Sequence, residues 1–309
     1  MRGGVGANTL SKNMKLGSKF KVAIFGHLYQ SDENRTVWSV IRKLNDLGAE
    51  VLMEEAFYHH IKASMPSDVG VVTPQIAAGI EADWAVSMGG DGTFLRTAAA
   101  IGAKEIPILG VNTGHLGFLA DVSADNIHAE LEAVVAGEYV IERHSVIQAQ
   151  KDGKPLSTYP YALNEVALLK HDNSSIIEVA AKINGELLTV YRADGLMVCT
   201  PTGSTGYSLS VGGPIIVPQS NTFCLSPVAS HSLSTRPVVL CDDAEISLTV
   251  RSRSHNFLIS IDGRSDSFPD GTTVVLRRAP YCVRVMKVKH KSFFTTLRDK
   301  MMWGADGRF

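Results

Sequence analysis

The sequence predicts an α/β domain, Rossmann-like in its parallel strands and alternating helices, followed by a mainly β domain. Three observations predict this fold class. The chain has 309 residues, enough for two domains of roughly 150 residues each. In the first third, short apolar runs alternate with stretches of helical periodicity, a pattern typical of parallel strands joined by helices. From Tyr139 onward, apolar and polar residues alternate with a period of two, as in antiparallel strands.

The elements of the α/β domain follow from these two patterns. A buried parallel strand is expected to be an apolar run, and a covering helix to carry apolar residues on one face. On these criteria we predict strands at residues 20–26, 49–53, 82–88 and 106–112, and helices at residues 37–47, 54–62, 93–100 and 127–135. The resulting sheet should be parallel and covered on both faces.

The β domain is predicted from alternating segments that are separated by turns such as KDGK, NGE and PDGT. One helix interrupts it, beginning near Ser204 and ending at Gly212. The strand candidates are VIQAQ, ALNEVALL, IIEVAAKI, LLTVYR, EISLTVR, FLISID, TTVVLRR and YCVRVMKV.

These patterns place the domain boundaries. Residues 1–19 are rich in Gly, Asn, Ser and Lys without an apolar stretch, so we expect a flexible leader and no secretory signal. We assign residues 20–138 to the α/β domain and residues 139–289 to the β domain. Residues 290–309 form a tail with apolar residues at helical spacing, and we expect it to pack back on the first domain.

Composition excludes several function classes. Apolar residues make up 45% of the chain, and 30 basic residues face 31 acidic ones, which excludes disorder and argues against a general nucleic-acid binder. No apolar run approaches the roughly 18 residues that a membrane span needs. The 4 cysteines form no closely spaced pair, which favours a reducing compartment and gives no zinc motif. We therefore expect a cytoplasmic protein without nucleic-acid or membrane partners.

The sharpest motif is SMGGDGTFLR, residues 87–96, a glycine-rich turn between a strand and a helix. Backbone N–H groups in such a turn can face a phosphate, helped by the dipole of the helix that follows. Asp91 would repel a phosphate, so it needs a role of its own, either as a general base or as a contact to magnesium through water. An ordinary glycine turn with a capping aspartate is the alternative.

Three further segments carry candidate residues. VNTGHLGFLAD, residues 111–121, follows the next strand and contains His115, which we interpret as a structural or substrate-packing residue. Residues 192–216 suit hydroxyl and backbone contacts to a polar ligand, although capping and solvent exposure explain their serines equally well. Asn164-Glu165 is a polar pair in an apolar strand, which indicates either a ligand diol or an edge strand.

Together, these segments resemble the NAD kinase family. That family carries GGDG, a TGHLGF-like loop, a strand-borne NE and DGL…TPTGSTAYSLSAGGPI in this order, and in this chain they stand at residues 89–92, 113–118, 164–165 and 194–216. The resemblance implies an α/β domain, a sandwich-like β domain and a returning tail. It also implies transfer of the ATP γ-phosphoryl group to the 2′-hydroxyl of the adenosine ribose of NAD, giving NADP, with a divalent metal, Mg²⁺.

The resemblance implies a role for each matched residue. Asp91 would accept the proton of the reacting hydroxyl and, with Gly92, contact NAD. Asn164 and Glu165 would bind its adenosine side. The donor phosphates, with Mg²⁺ carried mainly by them, would lie on Gly89, Gly90, Gly92 and Thr93.

The remaining matched residues would complete the NAD site. Arg192 and Asp194 would lie by the nicotinamide portion, in part from a neighbouring subunit, because the family forms homodimers and homotetramers. Arg264 stands where many relatives have glutamine. The adenine pocket would be lined by Thr205, Gly206, Tyr207, Ser208, Leu209 and Ser210, with Tyr207 against the base.

Two other functions remain open at this stage. A lipid or small-molecule kinase could use the same GGDG loop, although the NE and TPTGST segments would then be unexplained. A non-catalytic dinucleotide-binding module is the other alternative, and the intact Asp91 weighs against it.

Overall fold

The computed structural model describes residues 20–27, 34–114, 116–171 and 176–302. The predicted leader at residues 1–19, His115 and the last seven residues of the tail lie outside them. The chain divides into two compact units, the first formed by Met1–Arg143 with Arg284–Phe309 and the second by His144–Val283. No helix among the described residues is long and apolar enough to span a membrane.

The secondary structure alternates between strands and helices in the first part of the chain and is mainly strand after it. The first part contains β1 (Phe20–Gly26), α1 (Asn34–Asp46), β2 (Ala49–Glu54), α2 (Glu55–Ile61), β3 (Thr73–Gln75), β4 (Trp84–Met88), α3 (Asp91–Ile101), β5 (Ile108–Asn112), β6 (Val122–Ser123), α4 (Ile127–Val135) and β7 (Tyr139–His144). The middle part contains β8 (Ile147–Lys151), β9 (Lys154–Pro155), β10 (Tyr161–Ala162), β11 (Glu165–Lys170), β12 (Ile177–Ile183), β13 (Glu186–Ala193), β14 (Gly195–Cys199), α5 (Tyr207–Ser210), β15 (Thr222–Val228), β16 (Val238–Cys241), β17 (Ile246–Ser252), β18 (Asn256–Ile261), β19 (Arg264–Pro269) and β20 (Thr273–Arg278). The last part contains β21 (Val283–Val288) and α6 (Phe293–Met301). Short 3₁₀ helices lie at Lys62–Ser64, Ala77–Gly79, Gly102–Lys104, Ala124–Asn126 and Thr202–Thr205.

The first unit is built on a sheet with the strand order β3-β2-β1-β4-β5-β21-β7, and β6 pairs with β5. The pairs of β1 with β2, of β1 with β4 and of β4 with β5 are all parallel. Every residue of β4 and β5 is buried, as expected for central strands with both faces covered. Met88 lies opposite Val111 in this register. The loops that follow β4 and β5 therefore leave the sheet side by side at its carboxyl edge, where open α/β sheets bind ligands.

The second unit is a sandwich of two antiparallel sheets. One has the order β10-β8-β20-β17-β12-β13, with β9 beside β8, and the other has the order β16-β15-β14-β11-β18-β19. A single apolar cluster contains residues of both sheets, such as Val179 and Leu248 from the first and Leu168, Val198 and Phe257 from the second. The two sheets therefore pack face to face over one core. With the parallel sheet of the first unit, this arrangement confirms the predicted fold class.

The tail packs on the first unit, as predicted. Ser292 caps α6 by accepting a hydrogen bond from the Thr295 amide at 3.2 Å. The ring of Phe293 lies 6.0 Å from that of Phe118, and Leu297 is buried one turn further along. Phe293 and Leu297 of the predicted apolar face thus pack inward, whereas Phe294 is 56% exposed.

Two sequence predictions differ from the structure. The predicted β domain spans residues 139–289, but β7 and β21 both lie in the sheet of the first unit. Alternation of apolar and polar residues predicts that a segment is a strand, but it does not predict which sheet that strand joins.

The second difference is the helix predicted from Ser204 to Gly212. It is instead a 3₁₀ turn, Thr202–Thr205, followed after Gly206 by the single turn of α5. The hydroxyl of Ser204 donates to Pro201 O at 2.6 Å and accepts from the amide of Ile216 at 3.0 Å. Such local side-chain bonds compete with a regular helix.

Candidate functional site

The GGDG turn joins β4 to α3. The amide of Gly89 donates to Val111 O at 2.8 Å, which ties the turn to β5. Gly89 has φ +146°, and a Cβ there would clash with Oγ1 of Thr93, so only glycine fits. Gly90 and Gly92 are exposed, with open space where a Cβ would stand. The N-terminus of α3 is therefore accessible to a phosphate from outside.

Thr93 is placed differently from the exposed glycines beside it. Its side chain is buried under the turn, and Oγ1 lies 3.5 Å from Nη2 of Arg96. Of the predicted phosphate-loop residues, Gly90 and Gly92 are therefore the accessible ones, whereas Gly89 and Thr93 shape the turn from within.

Asp91 joins the two loops at the carboxyl edge of the sheet. Its Oδ1 accepts hydrogen bonds from the amides of Leu119 and Ala120, and its Oδ2 accepts one from the amide of Phe118, each at 3.0 Å. A Cβ on Gly117 would clash with Oδ1, so the second loop needs glycine to reach the carboxylate. A carboxylate oxygen has about two acceptor positions, so Oδ2 keeps one for a further donor.

The second loop is held from its other side by the end of the chain. Lys287 donates to Oδ2 of Asp121 at 2.7 Å and to Phe118 O at 3.2 Å, and both charged side chains are buried. Lys291 donates to Asp121 O at 2.6 Å. Lys300 of α6 places Nζ 3.7 Å from Oδ2 of Asp91. None of these lysines was assigned a role from the sequence.

In the second unit, the polar pair Asn164-Glu165 stands at the start of β11. Asp262 holds it by accepting hydrogen bonds from the amides of Leu163 at 2.8 Å, Asn164 at 2.8 Å and Glu165 at 3.0 Å. Asp262 occupies the β18–β19 hairpin turn with φ +46°, followed by Gly263 with φ +81°, the geometry that Asp-Gly favours. We call this arrangement, in which the Asp262 carboxylate binds three successive amides, a clamp. The Asp91 carboxylate forms the same arrangement with the amides of residues 118–120.

Each side chain of this pair has a buried oxygen without a hydrogen-bond partner among the described residues. Oδ1 of Asn164 and Oε2 of Glu165 are buried, and neither has a hydrogen-bond partner in the described part of the chain. Buried polar atoms are normally paired, so these two oxygens are available to a ligand that brings hydroxyl or amide donors. Gly206 lies beside them, because a Cβ there would be 3.3 Å from Nδ2 of Asn164 and 3.5 Å from Oε2 of Glu165.

Burial raises the pKa of Glu165 to about 7, and the negative charge of Asp262 acts in the same direction. Burial also raises the pKa of Asp262, although its amide hydrogen bonds and Arg264 oppose this. Near neutral pH the Glu165 carboxyl therefore exchanges between a donor and an acceptor form. Either form can pair with a ribose hydroxyl, which both donates and accepts.

The raised pKa of Glu165 predicts a pH-dependent stability. Because the folded pKa of about 7 exceeds the reference value of 4.5, its stabilising contribution is complete below pH 4.5 and is lost as pH rises through about 7. We expect Glu165→Gln to raise the unfolding temperature at pH 8 and to change it little at pH 5. At pH 8 the effect corresponds to about 1–3 kcal/mol.

Thermal unfolding at the two pH values, with the exposed Glu186→Gln as a matched control, tests this. An equal change in the unfolding temperature of Glu165→Gln at pH 5 and pH 8 would contradict the predicted pH dependence.

The other predicted residues fall in different surroundings. Tyr207 is 41% exposed at the start of α5, as a residue that stacks on a base requires, and Ser208 behind it is buried. The side chains of Thr205, Leu209 and Ser210 are at least partly exposed around the same turn. The structure thus groups residues 205–210 with the polar pair through Gly206.

Arg192 and Asp194 pair with other residues of the second unit, and Arg264 follows the Asp262-Gly263 turn and acts on the charge of Asp262. Nε of Arg192 donates to Oε1 of Glu178 at 2.9 Å, and Asp194 forms an ion pair with Lys170 at 2.9 Å. The guanidinium of Arg264 lies 4.3 Å above the ring of Tyr159. The expected contacts of these three residues to a dinucleotide remain predictions.

Asp262 and the lysines are the residues that sequence reasoning missed. The Asp-Gly turn in IDGR was a visible signal for Asp262, since this dipeptide favours a two-residue hairpin. The lysines gave no such signal, because nothing local distinguishes Lys300 from the other lysines of the chain.

Comparisons with known proteins agree in both units. Residues 22–139 match the ATP-NAD kinase N-terminal domain, and residues 163–288 match the ATP-NAD kinase C-terminal domain. The NAD kinase of Bacteroides fragilis (strain YCH46) is 50% identical over 288 residues, covering 93% of this chain and 99% of the relative. The NAD kinase of Porphyromonas gingivalis (strain W83) is 43% identical, covering 92% of this chain and 98% of the relative.

Solved structures show the same fold. The yeast NADH kinase complexed with NADH superposes with a TM-score of 0.84 at 22% identity, covering 94% of this chain and 89% of that one. The NAD kinase from Archaeoglobus fulgidus in complex with ATP has a TM-score of 0.70 at 25% identity, covering 91% of this chain and 98% of that one.

Proposed function

The chain belongs to the NAD kinase family, and from this premise we propose that it transfers the γ-phosphoryl group of ATP to the 2′-hydroxyl of the adenosine ribose of NAD. The products are NADP and ADP. The observation that carries this proposal is the setting of Asp91, a carboxylate held by three amides at the open N-terminus of α3. Such a group can accept a proton beside bound phosphates without having to be positioned at the moment of reaction.

The proposed chemistry assigns each part of the first unit a task. The accessible backbone of Gly90 and Gly92 binds the phosphates of ATP. The ribose oxygen forms a bond to the γ-phosphorus, the bond from that phosphorus to the β–γ bridging oxygen breaks, and ADP leaves. Oδ2 of Asp91, which keeps one acceptor position, takes the hydroxyl proton. Positioning and charge neutralisation contribute more to phosphoryl transfer than covalent chemistry does.

We propose that magnesium reaches the site on the ATP phosphates. The described residues contain no group of three or more His, Cys, Asp or Glu side chains that could hold a metal. Magnesium commonly keeps its waters and uses one or two carboxylates together with substrate phosphates. The three amide hydrogen bonds leave Asp91 one acceptor position, which the reacting hydroxyl takes, so the ion would be held by the phosphates and its waters. The metal would neutralise phosphate charge.

In the second unit we propose that the polar pair binds the adenosine side of NAD. The unpartnered Oδ1 of Asn164 and Oε2 of Glu165 suit the hydroxyls of a ribose. The exposed ring of Tyr207 is available to stack on the base. A lipid acceptor would leave these buried polar atoms without partners, so they favour the dinucleotide.

The test is to incubate the purified protein with ATP, Mg²⁺ and NAD and to measure NADP with an NADP-specific dehydrogenase. We expect NADP to form in proportion to ADP. Parallel reactions with polyphosphate and with NADH define the donor and acceptor range. Phosphorylation of another alcohol without NADP would support the second kinase class, and nucleotide binding without any turnover would support a non-catalytic module.

We also propose that the protein assembles as a homodimer or a homotetramer. Strand β13 is the edge of its sheet in the described part of the chain, and Leu187, Leu188 and Val190 on it are 55%, 41% and 46% exposed. An apolar edge strand normally pairs with another chain or is blocked by charge. We expect sedimentation to show an oligomer and Leu188→Lys to shift it towards monomer. A monomeric unaltered protein would contradict this.

A further inference from the structure

Lys287, Lys291 and Lys300 lie around the second loop of the first unit, residues 113–121. Two of them, Lys287 and Lys291, form hydrogen bonds to it. Nζ of Lys287 is bound to Asp121 and to Phe118 O, and Nζ of Lys291 is bound to Asp121 O. These contacts explain the two side chains as parts of the scaffold.

Lys300 differs from both. Its Nζ lies 3.7 Å from Oδ2 of Asp91, beyond hydrogen-bond distance, and 5.0 Å from the centroid of the Phe118 ring. An ammonium group has three N–H donors. Lys300 forms no hydrogen bond through them within the described residues, whereas Lys287 and Lys291 both do. The side chain is 36% exposed. Lys300 is therefore held in place with its donors still available.

The packing of α6 on the second loop places this ammonium group beside the GGDG turn. Phe293, Leu297 and Lys300 follow one another at helical spacing on α6, and Phe293 packs on Phe118. The ring of Phe118 then lies under the ammonium group, where a cation–π contact helps to position it. Phe118 is also the residue whose amide binds Asp91, so the lysine, the aromatic ring and the carboxylate form one connected unit.

Charge supplies the reason for such a group. The turn carries the negative charge of Asp91, and a bound triphosphate adds more. Two anions at close range repel each other, and the attraction of both to a neighbouring cation offsets that repulsion. We propose that Lys300 donates to a phosphate oxygen of ATP when ATP binds at Gly90 and Gly92, and so offsets the charge on the transferred phosphoryl group next to Asp91. This proposal rests on the proposed function of the Asp91 loop.

The proposal predicts a selective kinetic defect. Lys300→Met keeps an unbranched side chain on Phe118 but removes the charge and the donors. Because one hydrogen bond to a charged group is lost, we expect kcat/KM for ATP to fall about 10- to 100-fold. KM for NAD should change less than about twofold, and the unfolding temperature little, since an exposed ion pair contributes little to stability. Lys300→Arg, which keeps a cation, should recover part of the loss.

A matched variant and a binding measurement keep the two proposals separable. Arg298→Met lies on the same helix, where Arg298 contacts Thr295 at 3.5 Å, and should behave as the unaltered protein. Calorimetry with the magnesium complex of an ATP analogue that has an imido group in place of the β–γ bridging oxygen should show weaker binding to Lys300→Met. We expect this even if the unaltered protein made no NADP, a result that would overturn the proposed function alone. Unchanged ATP kinetics and unchanged binding of the analogue in Lys300→Met would overturn the role of Lys300. So would an equal loss for ATP and NAD with a lower unfolding temperature.

Discussion

Asp91→Asn is expected to lower kcat at least about 100-fold, the usual contribution of an acid–base group. The amide side chain cannot accept the hydroxyl proton. It can still accept from Leu119 and Ala120 through its remaining oxygen, but its NH₂ group would then face the amide of Phe118, which is also a donor. We therefore expect the variant to fold, with a second loop held slightly less firmly. Steady-state kinetics and thermal unfolding measure the two effects.

A second variant separates the chemical role of Asp91 from its role as a clamp. Gly117→Ala keeps the carboxylate but places a methyl group against Oδ1, which must displace the loop. If proton transfer dominates, Gly117→Ala should retain clearly more turnover than Asp91→Asn. Equal losses would assign the effect to the clamp, and near-normal turnover of Asp91→Asn would end the proposed base role. The exposed Asp125→Asn is the matched control for loss of a negative charge from this unit.

Asp262→Ala is expected to raise KM for NAD about tenfold or more and to lower the unfolding temperature. Removing the carboxylate frees the amides of Leu163, Asn164 and Glu165 at once. A buried amide left unpaired costs about 1–3 kcal/mol, and about 1.4 kcal/mol corresponds to a tenfold change in binding. KM for ATP should stay nearly constant, because the phosphate loop of the first unit is held by Asp91 instead.

Two comparisons sharpen this test. Asp262→Asn keeps one acceptor oxygen and suits the left-handed turn, so its effect should lie between those of the unaltered protein and Asp262→Ala. Asp266→Ala, an exposed position on the neighbouring β19, should be neutral. If Asp262→Ala raised KM for ATP and NAD equally, the clamp would have only a structural role.

The alternation of strands and helices in the first unit could be predicted from the sequence because it depends on local periodicity, but the sequence predictions omitted strands β3, β14, β15, β16 and β19. The buried runs of β4 and β5 and the apolar faces of α1 and α6 are properties of neighbouring residues. The sheet to which β7 and β21 belong is not, because strand pairing joins segments far apart in the chain. The broken helix at Gly206 also required the structure, since the contact from Ser204 to Ile216 closes a loop that periodicity does not report.

The sequence by itself determined the chemical types present, namely a glycine turn with Asp91, the polar pair at Asn164 and a family resemblance that the comparisons confirm. Only the tertiary structure decided how these residues are held. Asp91 reaches amides 27 to 29 positions away and Asp262 reaches amides 97 to 99 positions away. The position of the Lys300 ammonium group beside Phe118 and Asp91 is likewise visible only in the structure. Such contacts depend on strand register and helix docking, which no local window of sequence contains.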